Sequence, residues 1–167
     1  VADVLLGHAD PGGRLPQTWP LRIEDTVAHG RPDEYPGVDG AVHYREGVFI
    51  GYRHHDAKKL SVQFAFGHGL SYTSFAFDKL ELDRNTMQPG DTLAATVTVR
   101  NTGTRAGSTV VQAYVHDAVS TQARPPQELK AFAKVTLQPG EARAVKLTFG
   151  PRAFAAFDEA RSAWVAE

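Results

Sequence analysis

Cysteine is absent from the 167 residues, so the chain has neither a disulfide framework nor a thiolate metal site. That fits a reducing compartment without fixing one, and the compartment stays open. No apolar run approaches the roughly 20 residues that a bilayer-spanning helix needs. Excess charge is missing as well: 18 Lys and Arg stand against 19 Asp and Glu, a formal net charge of -1. Such a chain has no bulk field to hold nucleic acid or an anionic membrane. Its 15 glycines and 10 prolines follow no period, which excludes a collagen-like repeat. The GxSxG, HExxH, GxGxxG and phosphate-loop patterns are all missing, so nothing marks a nucleophile elbow, a zinc helix or a cofactor cradle.

What is present is an ordinary globular composition, 42% apolar and 22% charged. Two textures divide it, one over residues 1–70 and one over 71–167. Residues 1–6 carry neither a starting Met nor a helix cap, and read as the last turns of a helix that Gly7 stops. The other end, Trp164-Val165-Ala166-Glu167, falls inside an apolar pattern, and we expect a piece of a longer protein. Asp10-Pro11-Gly12-Gly13 is a turn signal in which Pro presets one position and Gly supplies positive φ. Residues 14–20 hold two prolines and are expected to be extended. Residues 30–40, rich in Gly, Pro and Asp, read as a surface loop. Val48-Phe49-Ile50 is expected as a short buried strand or other buried element, with Arg53-His54-His55-Asp56 just beyond it. Ligands bind beyond strand ends in open α/β sheets, which draws attention to that position. Residues 64–77, aromatic and punctuated by Gly, read as an extended connector whose rings pack on its neighbours.

The second texture is that of an all-β sandwich. Leu93, Ala95, Val97 and Val99 alternate with Thr92, Thr96 and Thr98, the period of two that a half-buried strand demands. Val145, Leu147 and Phe149 alternate with Ala144, Lys146 and Thr148 in the same way, and residues 109–116 are β-branched and aromatic. Gln88-Pro89-Gly90-Asp91 and Gln138-Pro139-Gly140-Glu141 are type II turn signals. Strands about every 10 residues with turns between them point to an immunoglobulin-like or fibronectin-like sandwich. Phe132, Phe149, Phe154, Phe157 and Trp164 are expected in its core, with its last strand following Trp164.

Chemistry is sparse. His54-His55 with Asp56 is the most metal-like cluster, but neighbours on a strand point to opposite faces and do not share an ion, so no metal is expected. Gly67-His68-Gly69 lets the chain turn tightly and does not cradle phosphate. Acidic residues are plentiful, but most lie in turn-like segments, where Asp serves the backbone. Glu46 differs in that it opens the apolar run toward Tyr52. Arg124-Pro125-Pro126 reads as a rigid loop leading into a strand near Leu129.

Six blocks carry a resemblance. They begin with Asp10-Pro11-Gly12-Gly13-Arg14-Leu15-Pro16, then Tyr44-Arg45-Glu46-Gly47-Val48-Phe49-Ile50-Gly51-Tyr52-Arg53, then Phe66-Gly67-His68-Gly69-Leu70-Ser71-Tyr72-Thr73. Val99-Arg100-Asn101-Thr102-Gly103, Val110-Val111-Gln112-Ala113-Tyr114-Val115 and Arg124-Pro125-Pro126-Gln127-Glu128-Leu129-Lys130-Ala131-Phe132 follow in order. Together the chain resembles the C-terminal third of glycoside hydrolase family three. The resemblance implies a mostly β fold: the tail of an α/β sandwich domain over 1–70, then a fibronectin type III-like sandwich over 71–167 lacking its last strand. It also implies a retaining β-glucosidase, or the related β-xylosidase, without a cofactor. That family's aspartate nucleophile and glutamate acid/base belong to upstream domains, and no carboxylate here matches either motif. These residues would then scaffold the upstream catalytic domains, their partners, around a β-glucoside or oligosaccharide. They would also wall an outer sugar subsite, with Arg53, Glu46 and His54 as substrate-binding residues. For Arg53 an ion pair with a nearby acid is the competing expectation. A free-standing carbohydrate-binding module and a module for homodimer formation are the alternatives.

Overall fold

A computed structural model describes residues 1–166. In chain order its elements are helix α1 (Ala2–Leu5), strand β1 (Trp19–Pro20), helix α2 (Tyr52–Lys58), and strands β2 (Val62–Phe64), β3 (Phe75–Leu82) and β4 (Leu93–Asn101). Then come β5 (Gly107–Val115), β6 (Glu128–Leu137), β7 (Ala142–Phe149), β8 (Ala156–Asp158) and β9 (Ala163–Val165). Short 3-10 turns occupy Ile23–Asp25 and Pro151–Ala153. The fold is mostly β. Residues 1–14, 69–115 and 129–166 form one unit; residues 15–68 and 116–128 form the other.

In the first unit the alternation seen in sequence becomes a sandwich. The antiparallel sheet β3-β4-β7 and the pair β5-β6 supply its strands. Val145, Leu147 and Phe149 are all buried while Lys146 and Thr148 between them face out. They meet Val97, Ala95 and Leu93 directly across the β4–β7 ladder. Val111, Val135, Leu137 and Val99 complete the core from the other strands. Each such aliphatic side chain contributes about 1.5–3 kcal/mol by burial. Both Pro-Gly turns form as read. Gly90 and Gly140 take φ of 94° and 75°, and Asp91 and Glu141 donate backbone N–H to the Gln88 and Gln138 carbonyls at 3.0 Å. The acid after each glycine has its own role, since its carboxylate accepts the backbone N–H of Gln88 or Gln138.

Several aromatic assignments need correction. Phe132 is 69% exposed, and Phe157 and Trp164 are about half exposed. The last two face each other across the β8–β9 pair, rings 5.7 Å apart, with the Arg152 guanidinium 4.0 Å above Trp164. They satisfy one another on a separate two-stranded ribbon and leave the core to Phe149 and Phe154, which pack at 6.2 Å. Trp164 itself lies in β9, and the strand expected after it falls outside the described residues.

Two polar side chains knit this unit. Asn101 is fully buried with every hydrogen-bonding site filled. Its amide donates to the Arg105 and Leu137 carbonyls at 2.7 and 3.1 Å; its oxygen accepts from Thr73 Oγ1 and the Gly103 N–H. Asp10 accepts from Ser71 Oγ and the Tyr72 N–H on Oδ1, and from the Ser108 N–H on Oδ2, at 2.6, 2.9 and 2.9 Å. The reason for glycine at position 12 differs from the one expected. Neither Gly12 nor Gly13 takes positive φ. Instead a Cβ on Gly12 would sit 2.9 Å from Ser108 Cβ, so glycine permits close approach.

The second unit is irregular. Its extended Trp19–Pro20 segment pairs with Val62–Phe64, and Trp19 packs edge-on to Phe64 at 6.5 Å. The short buried strand or element expected at Val48-Phe49-Ile50 does not form. Residues 45–48 form a turn, and Val48 and Ile50 are about half exposed. A strand there would need a ladder partner, and Gly51 at φ 54° redirects the chain. Helix α2 follows at once, because Tyr52–Lys58 has no β-branched residue, and left-handed Lys59 ends it.

Candidate functional site

Arg53, His54 and Asp56 therefore stand on a helix and not at a strand end. Successive helical residues point about 100° apart, which separates Arg53 from His54. His54 faces a cleft of about 310 Å³ lined also by Glu24, Asp25, His29, Arg31 and Lys58. Burial lowers the His54 pKa, and the neighbouring His55 pushes the same way, against a hydrogen bond with the Asp25 backbone. Its imidazole is thus held toward the neutral form; with its one N–H engaged by the Asp25 backbone, the other ring nitrogen is an acceptor for a ligand hydroxyl.

Two local pairs shape the cleft. Arg22 donates to both Asp25 oxygens at 3.2 and 2.8 Å, and these bonds hold the Asp25 carboxyl below its usual pKa. Arg31 donates to buried Glu34 at 2.8 Å. Both pairs are spaced i,i+3, a signal that sequence reading could have used but that the surrounding Gly and Pro obscured. His55 is buried. Its Nδ1 lies 2.9 Å from the Gly51 carbonyl and so carries the proton. The His54 and His55 rings meet at 87°, which does not converge their nitrogens on one point. Among the described residues no three His, Asp or Glu side chains group to hold a metal ion.

The three residues singled out in sequence are not brought together in this cleft. Glu46 is half-buried in the 45–48 turn and does not line it. Arg53 turns to Glu128, its Nη2 3.8 Å from Oε2, with its guanidinium also beside the Tyr52 ring. Of the three, only His54 lines the cleft.

Residues 1–72 match the glycosyl hydrolase family 3 C-terminal domain, and residues 109–167 match the fibronectin type III-like domain. The chain is a family 3 C-terminal domain followed by a fibronectin type III-like domain. It is 48% identical to a beta-glucosidase of Rhizobium radiobacter over 95% of its length and 19% of the relative's. To the thermostable beta-glucosidase B of Acetivibrio thermocellus it is 40% identical over 100% of its length and 22% of the relative's. Among solved structures it resembles DesR, a beta-glucosidase of Streptomyces venezuelae crystallised with D-glucose. The TM-score is 0.91 at 40% identity, over 99% of this chain and 21% of that one. A beta-glucosidase of Bifidobacterium adolescentis gives the same TM-score at 38% identity, over 99% and 24%. The chain thus spans about a fifth of the length of these relatives.

Glu46, Arg53, His54 and the cleft all fall in the family 3 C-terminal match. Asp117, Arg124 and Glu128, which face Arg53 or its partner, fall in the fibronectin-like match.

Proposed function

We propose that this chain serves as the C-terminal portion of a retaining β-glucosidase that hydrolyses terminal β-linked glucosyl residues. The nucleophile and the acid/base come from domains upstream of it. This part braces those domains, and Glu46, Arg53 and His54 contribute to an outer sugar subsite, with His54 the member that a cleft presents. The observation that supports a bracing role is an uncovered apolar stretch. Tyr35, Val38, Val42, Tyr44, Val48 and Ile50 lie within 16 residues of one another and are about half exposed or more, Tyr44 at 82%. Exposed apolar side chains at that density along the chain support a surface that another protein surface covers.

The pure 167-residue chain is expected to leave an aryl β-glucoside unhydrolysed, and measurable turnover by it would overturn the assignment. In the intact enzyme, His54→Ala should weaken affinity for a disaccharide more than for the aryl glucoside; equal effects on both would remove His54 from the subsite. A second reading, a carbohydrate-binding β-sandwich without catalysis, gains from the exposed Phe132, Phe157 and Trp164. Calorimetric titration of the chain with cello-oligosaccharides separates the two, since micromolar binding favours the module.

A further inference from the structure

Loop 116–128, which runs from the end of β5 to the first residue of β6, is closed at its base by a charged fork. The Arg124 side chain is only 8% exposed; Nη1 donates to Asp117 at 2.9 Å, and Nε and Nη2 donate to Glu128 Oε1 at 3.0 and 2.8 Å. Glu128 Oε2 then lies 3.8 Å from Arg53 Nη2 on α2. The adjacent loop residue Gln127 donates Nε2 to Asp56 Oδ2 at 2.8 Å, joining positions 71 residues apart. Arg53 and Asp56 are i,i+3 and share one face of α2. Two neighbouring loop residues thus meet two helix residues spaced to receive them, and buried Pro125 stiffens the segment between fork and contacts.

We propose that Arg53 is a positioning residue whose charge, acting through Glu128, fastens loop 116–128 to α2 and thereby presents the tip around Val119, which is 87% exposed. The role lies beyond the glycosidase reading and does not depend on it. It follows from charge and burial. Two guanidiniums face two carboxylates, the four side chains being 8–28% exposed, and there Coulomb attraction is screened less than on the open surface. A separation of 3.8 Å without a hydrogen bond is a point-charge contact, so any cation of similar reach should serve.

Hydrogen exchange measured by mass spectrometry on the full 167-residue chain tests this. Arg53→Gln, which keeps much of the size and drops the charge, should raise exchange at the amides of residues 117–127 by about 10-fold. Arg53→Lys should stay near the parent, and β4 and β7 should exchange as before in both. Parent-like protection of the loop in Arg53→Gln would overturn the proposal. So would a loss in Arg53→Lys as large as in Arg53→Gln, or a rise spread equally over β4 and β7.

Discussion

Removing the Asp10 carboxylate should be the most damaging single change at the sandwich's entry. Three donors converge on it: the Ser71 hydroxyl and the backbone N–H groups of Tyr72 and Ser108. Bonds to a charged acceptor contribute about 1.5–3 kcal/mol each, and a donor left without an acceptor costs about 1–3 kcal/mol. Tyr72 is 42% exposed, so water recovers part of the loss there. Asp10→Ala should therefore destabilise the chain by about 3–4 kcal/mol. Asp10→Asn keeps one oxygen for Ser71 and Tyr72 but turns an amide N–H₂ toward the Ser108 N–H, and should cost about 2 kcal/mol. Burial pushes the Asp10 carboxyl up, yet the bonds from Ser71, Ser108 and Tyr72, with the Arg14 charge, outweigh it and leave the pKa below its ordinary value. A depressed folded pKa means that the unfolded chain binds the proton more readily. The contribution is then complete above the unfolded value and fades as pH falls from about 4 through the folded value. The gap between parent and Asp10→Asn should close over that acid range. Urea unfolding followed by far-UV circular dichroism, repeated from pH 7 down to about 3, measures both effects. An Asp10→Ala variant within about 0.5 kcal/mol of the parent at pH 7 would refute the reasoning.

Asn101→Asp should cost about 3 kcal/mol or more in the same assay, because a carboxylate cannot donate to the Arg105 and Leu137 carbonyls that now accept from the amide. His54 should titrate below a free histidine, with NMR of its ring protons as the readout. Its depressed pKa makes the folded state bind the proton less readily, so folding stability should fall as pH drops below about 6.5, and His54→Gln should remove that slope.

The sandwich was legible because its signals are local and redundant. Period two in residues 145–149 places three buried side chains without reference to anything else, and each Pro-Gly pair fixes its own turn. Long-range partnership was not legible. Asn101 stands in sequence only as part of the block Val99-Arg100-Asn101-Thr102-Gly103, and nothing near it says that its amide spans to Leu137, 36 positions away. Phe157 and Phe154 look alike in sequence. One pairs with Trp164 on a ribbon and the other joins the core, a choice made by strand pairing and not by side-chain type. Around α2 the misreading has a different cause. Val48-Phe49-Ile50 is apolar and β-prone, but a strand requires a neighbour to take its backbone bonds, and the composition of three residues cannot report one. His54 was singled out for being polar beside an apolar run. It does line a cleft, but from a helix face, with Asp25 and Arg31 as companions that the sequence left unmarked.

The two units differ in how well their own residues satisfy them. In the first, Asn101 fills every site on its side chain and Asp10 gathers three donors, both from within that unit. The second holds Thr18 Oγ1, Glu34 Oε2 and His55 Nε2 buried without a hydrogen-bond partner among the described residues, and it also contains the exposed apolar side chains between Tyr35 and Ile50. Buried orphans of this kind are uncommon because each carries a desolvation cost of about 1–3 kcal/mol. The apolar side chains left out on residues 35–50 are what a covering surface would bury, whereas the polar orphans are already shut away from the surface and gain no bond from it. The bracing role proposed above rests on the apolar stretch at residues 35–50, although the sandwich unit also exposes Leu70, Phe77, Leu80 and Phe132. It makes a specific demand on the proposed intact enzyme: polar-to-apolar changes at Tyr44 such as Tyr44→Phe should be tolerated, whereas Tyr44→Asp should weaken the proposed cover over this stretch, lowering the thermal midpoint of the whole protein far more than that of the isolated chain. Equal shifts in the two would mean that no surface covers Tyr44.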